Sequence, residues 1–233
     1  NNIDGLCNFA KLGLKLLKYE YPLQKLKNFI KKNGYNPKVY EILSRIYFLT
    51  GEINEALFLL KSVIDNGDSS IHISTHFLTA LNYTTKFSQS EYLDYCKKIN
   101  INFKPKDINK SVNYEFDKNA KTIELGFISP DFCDHSITHF LFGTLKELKN
   151  YNFKLHAFNL RNISKLDDKS KIYQNLFDNW YNIEELSDLE IANLIKSKKI
   201  HVLIDLAGYF RRNRFTVLKY KPAPIQVLWL GYV

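Results

Sequence analysis

The sequence predicts a chain of two unlike parts, a helical region followed by a parallel α/β lobe. In residues 1–100, apolar side chains recur with the spacing of amphipathic helices. From Thr122 onward, short and nearly continuous apolar runs alternate with helical stretches, a pattern typical of strands buried on both faces of a parallel sheet. We therefore predict helical hairpins at 1–100, a polar linker without a sustained period at 101–121, and an α/β lobe at 122–233.

Within the helical region, residues 37–64 fit a 34-residue helix–turn–helix repeat. The matching positions are Tyr40, Leu43, Ser44, Tyr47, Gly51, Ala56 and Leu60. Small residues at Ser44 and Ala56 let the two helices approach closely, while large residues fill the space beside them. This stretch resembles a tetratricopeptide repeat.

Further helices are expected on both sides of this repeat. One period upstream, a weaker match has Leu6, Phe9 and Ala10 at equivalent places, with a second helix near 23–32, and downstream helices are predicted at 71–83 and 89–99. One repeat of this kind cannot bury its own apolar face, so we expect other repeats upstream of Asn1. The chain has no methionine, even at position 1, which also indicates an internal piece of a longer protein.

The lobe after Thr122 is predicted to alternate strands with helices. The predicted strands are 123–128, 154–158, 201–206 and 226–229, and the predicted helices are 137–149, 168–177, 189–197 and roughly 215–219. Connections between parallel strands are expected to be right-handed. This arrangement is that of the first portion of a Rossmann-like domain.

Composition excludes several classes of protein. Hydrophobic residues make up 45% of the 233 residues, enough for a core, so wholesale disorder is excluded. No uncharged apolar run approaches the ~20 residues that a membrane helix needs. The net charge is +9, but the lysines are spread over predicted helix faces, so we do not expect nucleic-acid binding. Three scattered cysteines form no zinc or disulfide pattern, which favours a cytoplasmic location.

Two loops are the candidate site, because ligands of open α/β sheets bind at the carboxyl ends of the strands. The first loop follows Ile128 and contains Asp131 and His135. The second follows Leu206 and contains a glycine that permits close backbone approach and an arginine cluster suited to phosphate or carboxylate. The residues of interest in this second loop are Gly208, Tyr209, Arg211, Arg212 and Arg214.

His135 is the leading candidate for proton transfer, since an imidazole titrates near neutral pH. Its alternative role is that of a loop histidine that caps the following helix. Asp131 could orient His135 or cap the helix, and Asp205, at the end of a strand, could bind a hydroxyl or hold the loop.

No metal site is expected: His72 and His76 share a helix face but lack a third ligand. Nucleotide-binding glycine motifs, GxSxG and HExxH do not occur.

Three segments, taken in their order along the chain, resemble those of a known family. They are GFISPDFCDHS at 126–136, IDLAGYFRRNR at 204–214 and KPAPIQVLWLGY at 221–232. Together with the preceding repeat, they resemble the catalytic region of O-linked N-acetylglucosamine transferases. This family joins a tetratricopeptide array to two Rossmann-like lobes with the active site between them.

The resemblance implies transfer of N-acetylglucosamine from UDP-N-acetylglucosamine to Ser or Thr of a protein or peptide acceptor, with inversion and without a metal or other cofactor. His135 matches the family's active-site histidine, which is discussed as a base for the acceptor hydroxyl. The other candidates for the cleft fall within the matching segments. They are Asp131, Asp205, Gly208, Tyr209 and Arg214.

The chain also departs from the family pattern. Phe210 replaces a threonine, Arg211 and Arg212 replace small residues, and Val233 stands where the family has proline. The second lobe, which in the family binds UDP, is absent, so residues 1–233 alone are not expected to catalyse. Two alternatives stay open: an Asn- or hexose-directed transferase of the same family, and a non-catalytic tetratricopeptide scaffold.

Overall fold

Helices and a parallel sheet follow each other along the chain in the predicted order. The computed structural model describes residues 2–67, 70–102, 114, 121–209 and 213–231. The chain divides into two compact units, residues 1–103 and 104–233. Most of the predicted linker at 101–121 lies outside the described residues. The predicted fold class, helical hairpins followed by a Rossmann-like lobe, is confirmed.

The described residues of the first unit form six helices. They are α1 Ile3–Lys15, α2 Glu20–Asn33, α3 Pro37–Thr50, α4 Ile53–Asp65, α5 Ile71–Leu81 and α6 Gln89–Asn102. The α3 helix begins at an Asn36 cap with Pro37 in its first turn and ends at Gly51, whose φ of +88° is left-handed. Ser44 and Ala56 are fully buried, as close packing of α3 on α4 requires. No helix in the described ranges is long and apolar enough to cross a bilayer.

Each of the two histidines on α5 contacts a side chain of α3. The Nε2 atom of His72 lies 3.2 Å from a carboxylate oxygen of Glu41 on α3. His76 packs edge-on against Phe48, and burial lowers the pKa of its imidazole to about 4. Among the described residues, no group of three His, Cys, Asp or Glu side chains could hold a metal ion.

A five-stranded parallel sheet forms the centre of the second unit. Its strands are β1 Ile123–Ser129, β2 Phe153–Asn159, β3 Asn179–Asn182, β4 Val202–Asp205 and β5 Ile225–Leu228, in the order β3-β2-β1-β4-β5. Four of them lie within two residues of the predicted strands. The edge strand β3 was not predicted, because the sequence NWYN offers no apolar run.

Helices cover both faces of this sheet. They are α7 Thr138–Leu148 and α8 Asp168–Leu176 on one face, and α9 Asp188–Ser197 and α10 Thr216–Lys219 on the other. On the α9 face, Gly126 in β1 leaves no room for a side chain: a Cβ there would lie 3.0 Å from both Ile200 and Phe158. Burial of both faces accounts for the continuous apolar runs in the central strands.

Candidate functional site

The sheet changes its winding direction between β1 and β4. The chain proceeds from β1 through β2 to β3 on one side, and then from β4 to β5 on the other. Ile128 and Asp205 are register partners at the carboxyl ends of β1 and β4, and the amide of Leu206 donates to the carbonyl of Ile128 at 3.1 Å. Ligands of such sheets bind at this switch point. The two loops singled out in the sequence therefore begin side by side.

The loop after β1 is anchored by buried side chains and presents polar ones. Phe132 and Cys133 are buried, whereas Asp134 and His135 are exposed. The hydroxyl of Thr138 donates to the carbonyl of Cys133 at 2.8 Å. Burial is the main cause that raises the pKa of the Cys133 thiol, so this cysteine stays protonated near neutral pH and is not an activated nucleophile.

Hydrogen bonds fix the two acidic residues of the same loop. The amide of Asp131 donates to the Ser129 hydroxyl at 3.0 Å. The amide of Asp134 donates to the carboxylate of Asp167 at 3.0 Å, and Asp167 also caps the N-terminus of α8. Through Asp167, the loop after β1 is attached to the loop after β2.

His135 stands exposed just before α7. Its Nδ1 atom accepts a hydrogen bond from the amide of Ile137 at 3.4 Å, a long contact. A neutral ring in this arrangement carries its proton on Nε2. The predicted proton-transfer residue is thus accessible at the carboxyl edge of β1, where it also makes the turn contact of a loop histidine.

Asp205 ends β4 and organises the turn that follows. It is 5% exposed, and its carboxylate accepts from the amides of Ala207, at 2.9 Å, and Gly208. Burial raises the pKa of this carboxyl to about 6 despite those two bonds. Of the two roles the sequence left open, the contacts support holding the loop.

The backbone of another segment lies very close to Gly208. Its φ of +58° is left-handed, and a Cβ built on Gly231 would lie 2.5 Å from the Gly208 nitrogen. Two of the sequence segments quoted above, around 208 and around 231, are therefore in backbone contact. A side chain at position 231 would push them apart.

Tyr209 and Arg214 lie on either side of the undescribed residues of the second loop. The ring of Tyr209 packs edge-on against Phe215 at a centroid distance of 5.4 Å. Arg214 donates to the Asp188 carboxylate at 2.5 Å and to the carbonyl of Leu186 at 2.6 Å. Because its guanidinium forms these hydrogen bonds with residues that follow β3, the structure does not bring it to His135. The other two arginines of the predicted cluster, Arg211 and Arg212, lie outside the described residues.

Replacing Arg214 by lysine is expected to lower the free energy of unfolding by about 1–2 kcal/mol. Lysine keeps the charge but lacks the planar fork that reaches a carboxylate and a carbonyl at the same time. Urea unfolding measures the change. Lys196→Ala removes an exposed cation on α9 and is the control. Equal stability of wild type and Arg214→Lys would contradict this role.

Sequence reasoning missed the residues that join the site loops to their neighbours. Asp167 and Ser187 each cap a helix with a reciprocal partner three residues later, Ser170 and Glu190. That spacing is a signal for a helix start and could have been used. The contacts of Asp167 with Asp134 and of Asp188 with Arg214 have no sequence signal, because each joins positions 26 or more residues apart.

Comparisons with known proteins agree with this architecture. The model of glycosyl transferase family 41 matches residues 66–233. SPINDLY of Arabidopsis thaliana is 28% identical over 116 residues, 48% of this chain and 12% of that protein. The UDP-N-acetylglucosamine–peptide N-acetylglucosaminyltransferase of Caenorhabditis elegans is 26% identical over 119 residues, 49% of this chain and 10% of that protein.

A solved structure shares the fold. A mutant of the O-GlcNAc transferase of Thermobaculum terrenum superposes with a TM-score of 0.64 at 14% identity, over 99% of this chain and 51% of that one. The chain therefore spans about half of this structural neighbour, and its aligned part spans about an eighth of the first curated relatives.

Proposed function

The chain belongs to glycosyl transferase family 41, and we propose that it forms the acceptor-side part of an inverting protein glycosyltransferase. The reaction is transfer of N-acetylglucosamine from UDP-N-acetylglucosamine to a Ser or Thr hydroxyl of a protein or peptide. The relative from Caenorhabditis elegans is named for this donor and a peptide acceptor. The chain covers about half of the structural neighbour, and we assign donor binding to residues outside 1–233.

One observation supports the proposal: the loop that contains the exposed His135 and the loop that Asp205 organises begin side by side at the switch point of the sheet. An alcohol is a poor nucleophile, so a group that takes its proton assists attack. In a single displacement, the hydroxyl oxygen bonds to the anomeric carbon as the bond to UDP breaks. The UDP oxygen takes the bonding electrons, and the hydroxyl proton passes to the base.

We propose that His135 contacts the acceptor hydroxyl. With Nδ1 accepting from Ile137, the Nε2–H group donates and can orient an oxygen. To accept a proton at Nε2, the ring must carry its proton on Nδ1, which requires the 3.4 Å contact with Ile137 to open. That contact is long, so its loss costs no more than about 1 kcal/mol.

The test replaces His135 by alanine in the full-length protein. Incubation of cell extract with UDP-N-acetylglucosamine labelled in the sugar should label acceptor proteins with the wild type. The His135→Ala variant should lose about a hundredfold of that rate, the usual contribution of a positioned acid–base group. Initial rates on one purified acceptor give the ratio.

His139→Ala is the matched control, since His139 is also exposed and lies on α7 one turn further along. It should retain the wild-type rate. Labelling that survives in His135→Ala at the wild-type level would contradict the assigned role. Absence of labelling with wild type would contradict the proposed function, and labelling only with UDP-glucose would assign a hexose donor instead.

The state of the cysteines supports a location for this activity. Cys7, Cys96 and Cys133 are all free thiols. Free thiols persist in reducing compartments, and we propose that the protein acts in the cytoplasm.

A further inference from the structure

A cavity of about 520 Å³ opens at the carboxyl ends of β2 and β3, beside the candidate site. It lies between the loop after β2 and the loop after β3. Its lining residues are Arg161, Asn162, Ile163, Ser164, Asn182, Glu184, Glu185 and Leu186. The cavity is on the same edge of the sheet as His135, and the proposed role of that histidine does not involve it.

Two asparagine side chains whose orientation is fixed by hydrogen bonds line this cavity. The side-chain oxygen of Asn182 accepts from the side-chain NH₂ group of Asn159 at 3.0 Å and from the Trp180 ring nitrogen at 2.9 Å. The side-chain oxygen of Asn162 accepts from the amide and hydroxyl of Ser164. Each asparagine therefore keeps its NH₂ group available, and within the described residues neither NH₂ group donates to a protein acceptor. Such donors suit the carbonyls of an extended polypeptide.

The charges of the cavity lining favour a basic ligand. Glu184 and Glu185 are exposed, and in the part of the chain that the structure describes neither carboxylate forms an ion pair. Arg161 is the single cation in the lining, and its Nε group already donates to the carbonyl of Lys165. The lining is thus net negative in a chain whose net charge is +9. Such a patch attracts a basic side chain.

Both walls of the cavity are joined to the site loops. The guanidinium of Arg214, from the loop after β4, donates to the carbonyls of Leu186 and Glu184 in one wall. The other wall belongs to the loop after β2, whose Asp167 carboxylate accepts from the amide of Asp134. A polypeptide that crosses the carboxyl edge to reach His135 would pass over a surface that these contacts hold in place.

We infer that this cavity binds the acceptor polypeptide through a lysine or arginine close to the hydroxyl that is modified. This inference rests on the proposed function for its substrate class. The basic side chain pairs with the carboxylates of Glu184 and Glu185, and the neighbouring main-chain carbonyls accept from Asn162 and Asn182. The enzyme would thereby favour acceptor sites with a basic flank.

The test measures peptide binding without any donor sugar, so that it does not depend on transfer. Fluorescein-labelled peptides with a central serine carry either one lysine or one glutamate beside it, and fluorescence anisotropy gives their affinity for the full-length protein. The lysine peptide should bind about fivefold more tightly at low salt, and this preference should shrink as ionic strength rises. A protein with both Glu184→Lys and Glu185→Lys should lose or reverse the preference.

Two further variants make the outcome decisive. Glu147→Lys changes the charge of an exposed glutamate on α7, outside the cavity lining, and should keep the preference. The milder pair Glu184→Gln and Glu185→Gln should lose it even if the double reversal fails to fold. Equal binding of the two peptides to wild type, or no binding of either, overturns the inference. If the wild-type protein prefers the lysine peptide but transfers no sugar, the proposed function alone is overturned.

Discussion

Replacing Phe132 by alanine is expected to lower the free energy of unfolding of the α/β unit by about 3–5 kcal/mol. Phe132 is fully buried although it lies in the loop after β1, only three residues before His135. Its ring packs against Tyr173, Phe177 and Trp180 at centroid distances of 5.6, 5.3 and 5.4 Å. Removing it leaves a cavity under the loop, so His135 should lose its position together with the stability.

Urea unfolding followed by tryptophan fluorescence measures this effect, since Trp180 contacts the deleted ring. Phe140→Ala is the matched control, because Phe140 lies on α7 and is 63% exposed. The control should change stability by less than about 1 kcal/mol. Equal losses in the two variants would show that Phe132 is not the anchor of the loop.

Replacing Asp205 by asparagine should stabilise the protein near neutral pH and leave it unchanged in acid. Burial raises the pKa of the carboxyl from 3.8 to about 6, so the folded state holds this proton more tightly than the unfolded state does. The contribution of this bound proton to the free energy of unfolding is fully present below about pH 4, and it is lost as pH rises through about 6. The loss amounts to about 3 kcal/mol. Asparagine keeps an oxygen for the amides of Ala207 and Gly208 but carries no charge.

The measurement is the difference in unfolding free energy between wild type and Asp205→Asn from pH 4 to pH 8. Taking the difference cancels the other titrating groups, including His76 with its lowered pKa. The difference should grow from near zero to about 3 kcal/mol in favour of the variant. Asp168→Asn, at a side chain that is 94% exposed, should show no such trend. A difference that stays constant across this range would mean that the Asp205 carboxyl titrates at its ordinary pH.

Much of the architecture could be predicted from sequence because its signals are local. Buried parallel strands give continuous apolar runs, and the close packing of α3 on α4 requires small residues at Ser44 and Ala56. The edge strand β3 gives no such run. It forms because its backbone pairs with β2 in register, with Trp180 opposite Ala157, a long-range contact that composition does not encode.

The neighbourhood of the two candidate loops could be predicted from sequence, but their internal contacts could not. The rule for parallel sheets selects the loops after β1 and β4, and the pairing of Ile128 with Asp205 brings their starts together. The roles within the loops depend on partners far along the chain. Arg214 resembles an anion-binding residue in sequence, yet its guanidinium contacts Asp188 and two carbonyls of the loop after β3.

The contacts of Arg214 and Asp167 have a consequence for the entropy of substrate binding. Loops that must become ordered around a ligand lose conformational freedom at that moment, and this loss weakens affinity. Here the loop after β1 is attached to the loop after β2, and the far end of the loop after β4 is attached to the loop after β3. Much of that ordering is completed when the lobe folds. Under the proposed function, the carboxyl edge of the sheet should therefore bind the acceptor polypeptide as a preorganised surface, and most of the entropic cost should fall on the incoming chain.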